Sequence, residues 1–160
     1  MTRSYKLISI SVAIVLALFL QVLFVFADNQ SSPGRAAGEF ARAYFAYDEA
    51  GMMDRLCAES MVVDDINMVE QYVYEKSQDA RARGFDLGIY TRRKLAHLRT
   101  ETVESGHDAA VVHLSGEVRQ PMRSFFVGEK VSHHVEAELK MVREDGRWKV
   151  CGQPFALDEV

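Results

Sequence analysis

In Val131-Ser132-His133-His134-Val135-Glu136-Ala137-Glu138-Leu139-Lys140-Met141-Val142 the side chains alternate in character at every step. Val131, His133, Val135, Ala137, Leu139 and Met141 form one set, nearly all apolar. Ser132, His134, Glu136, Glu138, Lys140 and Val142 form the other, mostly polar. A period of two belongs to a strand with one covered face, as in an antiparallel sheet. A slip of one residue would bury His134, Glu136, Glu138 and Lys140, so the register is strongly specified. Asp145-Gly146 then reads as a tight hairpin turn into Arg147-Trp148-Lys149-Val150-Cys151. Upstream, Ala110, Val112, Leu114, Gly116 and Val118 alternate with Val111, His113, Ser115, Glu117 and Arg119 in the same way. A turn at Ser105-Gly106-His107-Asp108 separates that strand from a weaker one over 93–103.

Before Gly88 the period is 3.6. Ala37, Phe40, Ala41, Tyr44 and Tyr47 share a helical face, with Gly51 expected just past the helix end. A shorter helix over 52–59 groups Met53, Leu56 and Cys57. Asp64 or Asp65 is the expected N-cap of a third, with Ile66, Val69 and Val73 inward and Gly84 closing it. Helices first and strands last imply an α+β fold, with helices packed on one face of the sheet.

The first 27 residues differ in kind. Leu7 to Ala27 carry no charge, behind Arg3 and Lys6 and ahead of Asp28. About 20 apolar residues cover the hydrocarbon core of a bilayer. The placement of the basic residues keeps the amino end inside and sends the rest across, to the periplasm or outside. Two outcomes stay open: an uncleaved single-pass anchor, or a signal removed after Ala27 and a domain released to the periplasm. Residues 28–38 form a polar tether and 39–160 the domain. The chain has 19 basic and 23 acidic residues; removing Arg3 and Lys6 leaves 17 against 23 in residues 28–160. An acidic domain without a basic cluster is a poor partner for nucleic acid. The partners expected are the membrane through residues 7–27, a protein or second copy, and a small apolar ligand.

Phe40-Ala41-Arg42-Ala43-Tyr44-Phe45 followed by Asp54-Arg55-Leu56-Cys57, and the closing hairpin from Leu139 to Cys151, resemble the nuclear transport factor 2-like superfamily. The likeness covers 39–155. It implies a curved sheet forming a cone with helices on its concave face. Superfamily members include isomerases, dehydratases and cyclases, and also membrane-tethered scaffold domains. The resemblance is specific to fold, so activity has to be argued from side chains.

Enzymes of that kind place an acid, His or Tyr inside the cone. The two clear strands put Glu117, Glu136 and Glu138 on the other face, leaving His133 as the titratable group expected inside, with Tyr44, Tyr47 and Asp48 as helix-borne neighbours. The plainer reading of His133 is a packed side chain with a hydroxyl or carbonyl partner. The function expected is therefore a non-catalytic interaction or ligand-binding module. An isomerase, dehydratase or cyclase using a pocket His is the alternative.

No cofactor is implied. His133 and His134 point to opposite faces, while His97 and His113 are mid-strand without a paired carboxylate, so the spacing assembles no metal site. Arg92-Arg93-Lys94 is either a solvated edge or an anion or lipid-headgroup contact. Phe125 and Phe126, in the connection between two strands, either meet a partner or the membrane or fold back to close the cone. Cys57 and Cys151, the only two cysteines, are expected to pair in an oxidising compartment. Parity warns that Cys151 points away from Trp148 and Val150, so the bridge needs an irregular strand or a helix end that wraps the sheet edge.

Overall fold

The computed structural model describes residues 32–84, 86–88, 93–119 and 132–157, together with 15, 16 and 19. The chain divides into two units, Met1–Ser31 and Ser32–Val160. Of the first, Val15, Leu16 and Phe19 are helical and exposed. Among the described residues no helix is long and apolar enough to cross a membrane. Most of residues 7–27 lie outside that set.

The second unit is α+β, with helices packed on an antiparallel sheet. Its elements in order are α1 (Pro33–Ala46), α2 (Glu49–Arg55), α3 (Ala58–Met61), β1 (Val62–Val63), β2 (Ile66–Asn67), α4 (Met68–Ala82), β3 (Lys94–Ser105), β4 (Ala109–Arg119), β5 (Ser132–Glu144), β6 (Arg147–Cys151) and a 3₁₀ turn, Pro154–Ala156. Strands β3-β4-β5-β6 form one antiparallel sheet in sequence order. The alternation sets which faces meet, and in the observed register Leu114 opposes Ala137, Val112 opposes Leu139, and Ala110 opposes Met141. Ala110, Val112, Leu114, Val118, Val135, Leu139 and Met141 are buried, and Glu117, Glu136 and Glu138 lie on the other face. Asp145 and Gly146, both with positive φ, turn the chain between the paired Glu144 and Arg147.

Helix α1 lies along the covered face. Ser32 caps it by accepting a bond from the Arg35 N–H at 3.2 Å, and Pro33 supplies the fixed φ of a first helical turn. Its face of Ala37, Phe40, Ala41 and Tyr44 is fully buried, and Tyr47 packs against the same core. The helix ends at Tyr47 in the left-handed conformation, not at Gly51. Gly51 sits inside α2, where a Cβ would stand 2.9 Å from the Ala43 Cβ. Absence of a side chain, rather than left-handed freedom, explains glycine there.

Two other expectations shift. The segment over 52–59 is not one helix: α2 stops at Arg55 and α3 begins at Ala58. Asp64 and Asp65, with φ of 50° and 61°, form the turn of the small β1–β2 hairpin rather than an N-cap. Short polar side chains that tolerate positive φ suit that turn. Asn67 caps α4 instead, accepting from Val69 N and Glu70 N. Ile66 is exposed rather than inward, while Val69 is buried and Gly84 closes the helix with φ of 81°.

The break between α2 and α3 has a cause. Leu56 pairs with Val150 in a parallel bridge, and the Cys57 N–H donates to the Val150 carbonyl at 2.9 Å. The chain thus runs along the outer edge of β6, which puts the Cys57 and Cys151 Cα atoms 5.5 Å apart and joined by a disulfide. The parity warning is answered by the helix end wrapping the sheet edge. Ion pairs bind the same region: Glu39 bridges Arg35 and Arg55, and Asp54 takes both Arg147 guanidinium nitrogens at 3.1 and 3.2 Å.

Candidate functional site

The aromatic side chains converge where α1, α4 and the C-terminal turn meet. The period that buries Phe40 and Tyr44 on α1 brings the Tyr44 ring 4.6 Å from the Tyr72 ring of α4, nearly parallel, and edge-on to Phe45 at 5.1 Å. Phe155, delivered by the turn after β6, lies 5.4 Å from Tyr72. The Tyr44 hydroxyl donates to the Phe155 carbonyl at 3.0 Å. A half-open cleft of about 200 Å³ is lined by Tyr44, Met68, Gln71, Tyr72, Glu75, Lys76 and Phe155. Gln71 donates to Glu75 at 2.9 Å, and the Lys76 ammonium lies 5.5 Å from the centre of the Tyr72 ring. Tyr44 is fully buried and Tyr72 nearly so, so the rings back the cleft while Gln71, Glu75 and Lys76 make its outer lining polar.

His133 does not join this cleft. Its parity matches the covered face, and it opposes Val118, but it sits one residue from the end of β5 and is exposed. The pattern sets which face a side chain shares. Parity does not by itself give burial: Val118, opposite His133, is buried, while His133 is exposed. The expectation of His133 inside the cone, beside Tyr44 and Asp48, is corrected accordingly. Asp48 is exposed and caps α2, accepting from Gly51 N at 3.3 Å. Only Tyr44 of that trio lies at the site. Phe125 and Phe126 fall outside the described residues.

Pairing of the histidines also differs from expectation. His113 Nε2 lies 2.8 Å from Glu136 Oε1, and His97 Nδ1 lies 3.5 Å from Glu117 Oε2. Both pairs are on the outer face, where diagonal neighbours in adjacent strands meet. His97 reaches Glu117 because β3 bulges there, with φ of 51° at His97 and a register shift between Ala96 and Arg99. Arg119 donates to Glu117 at 2.6 Å and holds its carboxyl below the ordinary 4.5; partial desolvation opposes this, and His97 adds a smaller pull. Arg93, of the basic run, donates its N–H to the Phe45 carbonyl and stands over the Tyr47 ring at 6.0 Å.

One further cluster offers metal-ligand atoms. Cys57, Cys151 and Glu144 bring theirs within 4.8 Å of one another. Both sulfurs are spent in the disulfide, and the Glu144 carboxylate accepts from Ala58 N at 3.3 Å and faces Lys149 at 3.9 Å. A disulfide sulfur is not a thiolate ligand, so the bridged pair does not constitute a metal site.

Sequence reading missed Met68, Gln71, Tyr72, Glu75, Lys76 and Phe155. Tyr72 was open to discovery, since it stands three residues from Val69 on the same helical face. For Phe155, after a Gly and a Pro beyond the last strand, no periodicity exists to read.

No family model matches this chain, and no curated protein matches it. Among solved structures, the chain is similar to a candidate ketosteroid isomerase of Shewanella frigidimarina, with 15% identity over 76% of this chain and 93% of that one, at a TM-score of 0.48. It is similar to an NTF-2-like protein of unknown function from Shewanella oneidensis, with 13% identity over 72% and 88% at 0.43. A third is a candidate calcium/calmodulin-dependent protein kinase II association domain of Xanthomonas campestris, with 13% identity over 68% and 74% at 0.41. Likeness at these scores carries no argument about activity.

Proposed function

We propose that this chain is a membrane-tethered, extracytoplasmic domain of the nuclear transport factor 2-like kind. In this reading it binds a small apolar or aromatic molecule in the Tyr44–Tyr72–Phe155 cleft and acts with a protein partner rather than by catalysis. The observation that carries it is the chemistry of the cleft. Its inner wall is three aromatic rings, and the Tyr44 hydroxyl is engaged with a main-chain carbonyl. Glu75 and Lys76 stand at the rim, where Gln71 and the Tyr72 ring occupy them. A general base needs reach to a bound proton and a neighbour that tunes it. The groups inside are arranged to stack and enclose. The uncharged run from Leu7 to Ala27 supports the tether, and the disulfide suits an oxidising compartment.

Saturation-transfer NMR on the full chain in mild detergent, with phenol and benzoate as probes, tests the site. Both should show contacts that Tyr72→Ala removes. Absence of binding to the parent protein, or binding that survives Tyr72→Ala, would overturn the cleft as a ligand site.

A further inference from the structure

The cleft has a wall with an unusual anchorage. The segment from Gly152 to Leu157 follows directly on Cys151 and crosses from the edge of β6 to the aromatic cluster. At its start, Gly152 turns the chain with φ of 91°, a conformation that disfavours any residue with a Cβ. Ser60 brackets that glycine, its Oγ accepting from Gly152 N at 2.9 Å and donating to Gly152 O at 3.3 Å. At its far end, Pro154 and Leu157 are buried, Phe155 packs on Tyr72, and the Phe155 carbonyl receives the Tyr44 hydroxyl. Between the two ends no strand among the described residues pairs with the segment. It is held by the Ser60 bracket, by the burial of Pro154 and Leu157, by ring contacts and by the covalent bond from Cys151 to Cys57.

Cys57 and Ser60 belong to the same turn at the start of α3. The disulfide therefore fixes the position of Gly152 relative to its own hydrogen-bond partner. Cys57 is fully buried and Cys151 is the more exposed member, so an external thiolate meets the Cys151 sulfur first. From these contacts we infer that the segment Gly152–Leu157 is a closure over the aromatic cleft, fastened by the Cys57–Cys151 disulfide and released when a dithiol reduces it. The idea rests on the cleft being a binding site only for its purpose; the closure itself stands or falls on its own measurement.

The chemistry balances with a dithiol as the reductant. One of its thiolates attacks Cys151 Sγ, the S–S bond breaks, and Cys57 leaves with the electron pair and takes a proton. The second thiol of the reductant, as thiolate, then attacks the mixed disulfide and releases Cys151, which is protonated in turn. Two electrons and two protons enter the protein, and the reductant departs as a disulfide. The 94-residue loop is opened while β5–β6 pairing remains, because that ladder does not depend on the bridge.

Hydrogen exchange followed by mass spectrometry on the full chain, oxidised and then reduced with dithiothreitol, reads the closure directly. At labelling times of seconds to minutes, exchange over 152–157 and 68–76 should rise on the order of tenfold on reduction, as local opening does, while 109–119 stays protected. Phe155→Ala with the disulfide intact should raise exchange over the same two segments, since it loosens the far end alone. Unchanged exchange on reduction would show that the disulfide does not fasten the segment. A rise spread equally over 109–119 would show that it holds the whole domain instead. Either result overturns the inference, and neither bears on whether phenol binds the oxidised protein.

Discussion

Single side chains behave here according to what lies above them. His133 has the parity of a core residue and the exposure of a surface one, so His133→Ala should change stability by about 0.5 kcal/mol or less. Tyr44 is the opposite case, fully buried and bonded to Phe155. Tyr44→Phe should cost about 1 kcal/mol, the worth of one hydrogen bond, and urea melts of the full chain measure both variants. A larger loss for His133→Ala than for Tyr44→Phe would reverse this assignment. Glu117 adds a pH dependence whose sign is fixed. Its folded pKa lies below the ordinary 4.5, so its stabilising effect is complete above that value and fades as pH falls through the folded pKa. Glu117→Gln should therefore match the parent's pH dependence above pH 5 and show a shallower fall in more acidic solution. An unchanged acid slope would mean that the Arg119 contact leaves no mark on stability.

At the level of elements, local chemistry decides boundaries that hydrophobic periodicity leaves loose. Asp64, Asp65 and Asn67 are all good caps by composition, yet only Asn67 has a side chain aimed at the first turn of α4. Asn67→Ala should cost about 1 kcal/mol. Asp65→Gly should cost nothing or stabilise by a few tenths of a kcal/mol, because glycine accepts the φ of 61° that aspartate adopts. Thermal melts of the two variants separate a cap from a turn; equal losses would mean that Asp65 is also a cap. The strand β3 shows the same principle. Its two register shifts, near His97 and Val103, interrupt a strand that lies at an edge of the sheet among the described residues. Bulges twist such an edge away from flat pairing and so discourage added strands. A bulge has no clear signature in a period-2 pattern, which is why β3 reads as the weakest strand.

For the whole domain, the covalent cross-link is the disulfide, with a sequence separation of 94 residues. Loop closure of that size should contribute about 4–5 kcal/mol in the chain-entropy picture. The double variant Cys57→Ala/Cys151→Ala should lose about that much in urea melts against the oxidised parent. A loss under about 1 kcal/mol would mean that strain in the bridged native state, or compactness of the unfolded chain, cancels the loop-closure effect.

The α+β class, the alternating faces over 110–119 and 132–142, and the buried face of α1 were all legible in the order of residues. Each depends on a period of 2 or 3.6 that side-chain geometry imposes on neighbours along the chain. The pairing of Cys57 with Cys151 was also legible, because only two cysteines exist. What tertiary structure alone decided is that His133 is exposed and that Tyr44, Tyr72 and Phe155 come together from positions 28 and 83 residues apart along the chain. Contacts between remote elements depend on how helices lie across a sheet and how a C-terminal turn folds back. No local period encodes either, since both are settled by the packing of surfaces that meet only in the folded state.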